Sequence, residues 1–156
     1  MSRTILTDKF WREFCAENTN VNPDESYQAW FFCNNRESAK LLADLVLEGK
    51  KRATASLVLI NEMKPEIAPV PDGYSVVTDF DGNPQCVIQT TEIRRLPFNE
   101  VDAQFAFDEG EGDQSLEFWR KVHWDYFTRE CGESNIEFNE SMLIACERFK
   151  LLFPKL

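Results

Sequence analysis

The first patterned stretch is DKFWREFCAEN, residues 8–18, where Phe10, Trp11, Phe14 and Cys15 recur at helical spacing and fall on one side. Thr7 stands in the position of its N-cap. NTNVNPDES is turn chemistry, and SYQAWFFC is short, aromatic and strand-like. Asn34 or Asn35 can cap a second helix, ESAKLLADLVLE, with Leu41, Leu42, Leu45 and Val46 as its core stripe. Gly49 follows as the left-handed residue that ends it.

ATASLVLI reads as a strand, or a strand running into a short helix, and KPEIAPVPDG as a proline-rich loop. YSVVTDF then turns at Asp81-Gly82-Asn83 into QCVIQTTEIRRL, which makes a hairpin. A short helical excursion, FNEVDAQFAF, leads to the acidic, glycine-punctuated DEGEGD. Asp113 or Ser115 can cap the next helix, SLEFWRKVHWDYFTRE, whose inner side is Leu116, Trp119, Val122, His123, Tyr126 and Phe127. SMLIACERFKLLF closes the chain as a long alternating strand. Strands in the middle and at the end, with helices between them, predict an α+β domain around an antiparallel sheet or small barrel. The central and C-terminal strands are expected to pair, because either alone would be a long apolar edge. No repeat, low-complexity stretch or linker divides residues 1–156, which read as a single domain.

Composition narrows the class. A hydrophobic share of 43%, with 13% aromatic, belongs to a globular chain. No apolar run approaches the roughly 20 residues of a membrane span. The start, MSRTILTDKF, has no secretory pattern. Five scattered cysteines without C-x-x-C, and one histidine, support neither a disulfide framework nor a zinc site. These features predict a cytoplasmic protein without metal or cofactor. The net charge of −10 is concentrated: residues 99–140 hold twelve acids against three bases, the rest fifteen against fourteen. That excludes a uniformly basic nucleic-acid surface, and DNA is not an expected partner.

Against this background GKKRATAS, residues 49–56, is conspicuous. Cations past a helix C-terminus complement its partial negative charge, at about 0.3–1 kcal/mol each. The helix dipole gives no reason for the adjoining Thr54 and Ser56. In a functional reading Gly49 bends the chain so that Lys51, in the turn, and Thr54, at the strand's start, converge. A threonine hydroxyl needs a base to take its proton, and a neutral lysine can be that base. Lys50 and Arg52 would lower the Lys51 pKa and a neighbouring carboxylate would raise it, so the residues alone leave Lys51 open between base and anion clamp.

The stretch Tyr27–Ile60, with AWFF, a leucine-rich helix and GKKRATASL, resembles the ASCH domain family, as do CVIQTTE, EGEGD, WRKVHW and the closing CERF in that order. The resemblance covers about residues 27–154 and leaves 1–26 as an N-terminal helix and lead-in. It implies a small PUA-like β-barrel with peripheral helices and a cleft for RNA or a modified nucleoside. Some members are amidohydrolases of acylated cytidine and others ribonucleases. In the amidohydrolase branch the motif's lysine and threonine act with a later glutamate, which here match Lys51, Thr54 and Glu111, with Glu109 the second choice for the acid. This chain is longer than that branch and carries Ala55-Ser56 where its members carry an arginine.

The remaining candidates have two readings each. Glu109, Glu111 and Asp113 are either a loop preparing a helix N-terminus or, through Glu111, a general acid/base facing Lys51. Their spacing is not that of an EF-hand. His123 is either a packed core histidine or a cleft residue that shuttles a proton or stacks on a base. Trp119 and Trp124 sit on different sides of one helix, one as core and the other as a base platform. Arg120 and Arg129 either contact phosphates or pair with acids; Thr128 could face the cleft, and Cys131 near His123 offers a thiol. Lys50, Arg52 and Ser56 would join them in binding substrate. The leading expectation is an RNA- or nucleoside-recognising hydrolase that cleaves the amide of an acylated cytidine. The alternatives are a ribonuclease using Lys51 for phosphate charge with Glu111 or His123 as base, and a non-catalytic RNA-binding module.

Overall fold

One five-stranded sheet organises the protein, seen in a computed structural model that describes residues 3–155. Its strands are β1 (Tyr27–Trp30), β2 (Ala53–Leu57), β3 (Tyr74–Thr78), β4 (Pro84–Pro97) and β5 (Leu143–Phe153), in spatial order β1-β3-β4-β5-β2. Among the described residues only the β1–β3 pair is parallel. The two long strands pair with each other, from Val87 opposite Phe153 to Pro97 opposite Leu143. The edges are left to β1, with 4 residues, and β2, with 5, and short edges resist adventitious strand pairing.

The sheet is not closed, so the expected barrel is corrected to an open, mostly antiparallel sheet. No pairing joins β1 to β2 among the described residues. The seam between those edges is instead a cleft of about 800 Å³, bordered by Tyr27–Trp30 on one side and Thr54–Ser56 on the other.

Helix α1 (Ile5–Glu17) starts three residues before the predicted stretch, with Thr4 as its N-cap. Thr7 is the third residue of a capping box: its hydroxyl accepts from Thr4 N at 2.8 Å, and the Thr4 hydroxyl accepts from Thr7 N at 3.2 Å. Ile5 and Leu6 point outward at 88% and 53% exposure, so the inward periodicity begins a turn after the helix does. Further along, Trp11 and Phe14 pack with Tyr27, Val76 and Val87 under the sheet.

Helix α2 (Arg36–Leu47) is capped by Asn35, whose Oδ1 accepts from Ser38 N at 2.8 Å. Its buried face is Ala39, Ala43 and Val46. The predicted leucine stripe is thus displaced: Leu41 is 58% exposed, while Leu42 and Leu45 are half-buried. Leu57 then leads directly into α3 (Val58–Met63). Helices α4 (Ala103–Glu109) and α5 (Leu116–Gly132) close a second core, in which Phe105, Trp119 and Phe127 meet Leu57 and Ile144. Ser115 caps α5, accepting from Phe118 N at 3.1 Å. Among the described residues no helix is long and apolar enough to cross a membrane.

Candidate active site at the cationic turn

The turn after α2 is built by backbone bonds. Gly49 takes a left-handed φ of 77°, and the amides of Lys50 and Lys51 both donate to Leu45 O at 3.0 Å. The amide of Arg52 then donates to Asp108 O at 2.7 Å, tying the turn to the end of α4. There Gly110, also left-handed at φ 75°, stops α4 and folds Glu109 and Glu111 back over Lys51.

The Lys51 side chain is fully buried between them. Its Nζ donates to Glu109 Oε2 at 3.0 Å, Glu111 Oε2 at 2.9 Å, Ala53 O at 2.9 Å and Glu109 O at 3.3 Å. An ammonium has three protons, so four acceptors leave none free for a ligand while all these contacts last. Burial would push the Lys51 pKa down, but the charges of Glu109 and Glu111 outweigh it and hold it above the ordinary value. Lys51 is therefore an ammonium at neutral pH rather than the neutral amine a resting general base requires.

Glu109 is the hub. Its Oε1 accepts from Trp119 Nε1 at 2.9 Å and faces His123 Nε2 at 3.2 Å. The other histidine nitrogen, Nδ1, lies 2.9 Å from Trp119 O. Both ring nitrogens thus face acceptors, an arrangement that an imidazolium satisfies completely. Burial lowers the His123 pKa, but Glu109 overcomes it and raises it. Burial also opposes ionisation of Glu109, yet Lys51 and His123 hold its pKa well below the usual carboxylate range. Glu111 differs. Burial pushes its pKa up against the pull of Lys51, and the neighbouring Glu109 charge adds to the rise. At 19% exposure against 1% for Glu109, Glu111 is the member of the pair that solvent can reach.

A recess of about 100 Å³ opens on this cage, bordered by Lys51, Thr54, Glu111 and His123 among others. It shares Phe32, Cys33, Thr54, Ala55 and Tyr126 with the large cleft, so the two are continuous. The fold thus brings together Lys51, Thr54, Glu109, Glu111 and His123, and places Ser56 in the main cleft, its Oγ accepting from Asn61 at 3.0 Å. Glu109, Glu111 and His123 offer atoms within 4.8 Å of one another, close enough to share an ion, and the ammonium of Lys51 serves as the cation between the two carboxylates.

Other candidates fall elsewhere. Lys50 is exposed, and Arg52 pairs with Asp108 at 3.1 Å. Arg120 donates to Asn99 O and Val101 O, both at 3.2 Å, bracing α5. Trp124 packs edge-on against Phe98 and Phe138. Thr128 and Arg129 are exposed and border neither cavity. Cys131 lies in the core beside Phe127, where burial raises its thiol pKa, so it is no nucleophile. Sequence reasoning did not identify Phe32, Tyr126 or Glu147 as cleft residues, although all three line it. For Glu147 a signal existed: an acid in an apolar C-terminal strand is either at an edge or has a task.

An α+β fold with an open, mostly antiparallel sheet, a cleft at its seam and a lysine–carboxylate cage beside that cleft defines the class. The ASCH domain model matches residues 28–152, and the chain belongs to the ASCH domain family. The crystal structure of an ASCH domain from Lactobacillus crispatus JV V101 superposes with a TM-score of 0.81 at 36% identity, over 92% of this chain and 94% of that one. A protein from Enterococcus faecalis V583 superposes with a TM-score of 0.82 at 28% identity, over 92% and 86%. The comparison with curated proteins gave no match.

Proposed function

We propose that the protein hydrolyses the amide of an acylated cytidine-type nucleoside, free or in RNA, at the recess beside Lys51. One observation carries the reading: a hydroxyl (Thr54), a buried ammonium (Lys51) and a partly reachable carboxyl of raised pKa (Glu111) border the same small recess, which opens into an aromatic-walled cleft. Thr54 Oγ1 attacks the acyl carbon, and ionised Glu111 takes its proton, a role that falls to Glu111 because Lys51 is already protonated. Protonation of Glu111 weakens its hold on the Lys51 ammonium. One N–H is thereby freed toward the oxyanion as negative charge develops there. Glu111 then passes the proton to the departing exocyclic nitrogen. Water, deprotonated by the same carboxylate, attacks the acyl-threonine ester, and Glu111 returns that proton to Thr54 Oγ1 as the ester bond breaks, releasing the carboxylic acid and restoring both side chains. Glu109 remains ionised throughout and keeps Lys51 in place.

The test incubates the protein with N4-acetylcytidine and, separately, with labelled single-stranded RNA. The expected result is acetate release, an acetyl group trapped on Thr54 when the reaction is quenched early, and no turnover by Thr54→Ala. Cleaved RNA without acetate release would replace this reading with a ribonuclease.

A further inference from the structure

The cleft holds a second buried acid that this mechanism does not use. Glu147 lies on β5, opposite Thr54 of β2 in the sheet register, and is 7% exposed. Its Oε2 accepts from Thr90 Oγ1 at 2.6 Å. Thr90 immediately precedes an irregularity in β4, where the register steps from Thr90 opposite Phe149 to Glu92 opposite Arg148, and such bulges re-aim neighbouring side chains. No ion pair to Glu147 occurs among the described residues. Its Oε1 has no hydrogen-bond partner among them either. Since no fully buried side-chain oxygen is left unsatisfied, Oε1 reaches the cleft.

A buried carboxyl without a counter-charge is costly to ionise, and burial raises its pKa against the Thr90 bond and the more distant Lys51. In its protonated form the carboxyl is a planar pair of one donor and one acceptor side by side. The same cleft is bordered by Trp30, Phe31, Phe32 and Tyr126, side chains on which a flat heteroaromatic ring can stack. The cleft's volume of about 800 Å³ is that of a small-molecule site. One oxygen is thus fixed by Thr90 and one is open to a cleft with aromatic lining.

We propose that Glu147 is a specificity-determining residue: its carboxyl, carrying the proton on Oε1 in the complex, donates to the ring nitrogen of a cytosine-type base and accepts the adjacent exocyclic N–H on Oε2, which Thr90 holds. The identity of the base rests on the function proposed above; the edge it presents, an acceptor beside a donor, follows from the acid itself. Uracil, with its donor and acceptor exchanged at these positions, pairs less well, and the donor–donor edge of guanine has no match.

The test measures binding of N4-acetylcytidine, cytidine, uridine and guanosine by calorimetry, with Glu147 intact or replaced by Gln or Ala, in the Thr54→Ala background that prevents turnover. Glu147→Ala should weaken both cytidines by about tenfold or more and erase the preference over uridine. Glu147→Gln, whose amide keeps one donor and one acceptor in a plane, should retain most of the affinity and the preference. Thermal unfolding should show Glu147→Gln close to the parent, because its amide oxygen still accepts from the buried Thr90 hydroxyl, and Glu147→Ala less stable, because that hydroxyl loses its acceptor. Unchanged binding by Glu147→Ala would overturn the proposal. So would a Gln variant as weak as the Ala variant, since an ionised acceptor, not a neutral acid, would then be at work. Cytidine binding that depends on Glu147 without acetate release by the wild type would uphold this residue's role and sink the hydrolytic reading. Acetate release at unchanged KM by Glu147→Ala with Thr54 intact would do the reverse.

Discussion

Gly110 crosses the backbone of Lys50 so closely that a Cβ built on it would lie 2.4 Å from the Lys50 carbonyl oxygen and 2.8 Å from the Lys51 Cα. Two left-handed glycines, Gly49 in the cationic turn and Gly110 in the acidic one, thus bring two loops into backbone contact. The charge cage is a consequence of that contact. Gly110→Ala should suffer both the left-handed penalty of about 1–2 kcal/mol and a clash with atoms that cannot move aside. We expect a total loss of about 3 kcal/mol in chemical denaturation. An alanine variant as stable as the parent would show that the loops can separate.

Removing the hub should cost more than removing its neighbour. Glu109→Leu leaves the buried His123 and the Trp119 N–H without their carboxylate and Lys51 with Glu111 alone, and breaking a buried ion pair from one side costs about 3–5 kcal/mol. Glu111→Leu leaves Lys51 with Glu109, so its cost in urea unfolding should be distinctly smaller. Equal losses would mean that the two carboxylates share the load.

Much of this was legible in the sequence, and for identifiable reasons. Glycine after a leucine-rich helix, an Asp-Gly turn between alternating strands, and Ser115 before an aromatic helix are local signals that tertiary packing had no cause to override. The approach of Lys51 to the EGEGD segment was expected from the family motif. The direction of the Lys51 shift was not, because it depends on how two carboxylates are placed around one ammonium, and only the Gly110 contact fixes that. The α2 face was misread because alanines, not leucines, sit where the helix meets the sheet closely. Sheet closure was beyond reach as well: which strands pair across a seam is a long-range property that no single segment encodes.

His123 gives the fold a pH dependence above pH 6.5. Its folded-state pKa is raised, so its contribution is fully present below the unfolded value of about 6.5 and is lost as pH rises through the folded value. Glu109, whose folded pKa is depressed, contributes in the opposite sense: its share is present above the ordinary carboxyl value of about 4.3 and is lost as pH falls. Unfolding free energy should therefore decline on the alkaline side of pH 6.5. His123→Gln should flatten that decline while leaving the acid-side loss. A slope unchanged in the variant would remove the imidazolium from the cage.

Activity should titrate on Glu111. As the base it must be ionised, so kcat/KM should fall as pH drops through a pKa above the ordinary carboxyl range. The positive charge of His123 helps hold that pKa down, and His123→Gln should therefore move the acid limb to higher pH without abolishing turnover. Glu111→Gln keeps an oxygen for the Lys51 ammonium but can neither take nor return a proton, and kcat should drop by about 10²–10⁴. Its stability should stay within about 1 kcal/mol of the parent, since the hydrogen bond to Lys51 survives. Pre-steady-state kinetics separate the two steps in which the carboxyl acts. Without it, formation of the acetyl-Thr54 ester and its hydrolysis should slow together, because one group serves as base in both. Slowing of ester hydrolysis alone would assign the first proton transfer to another group, with Lys51 next in line despite its charge.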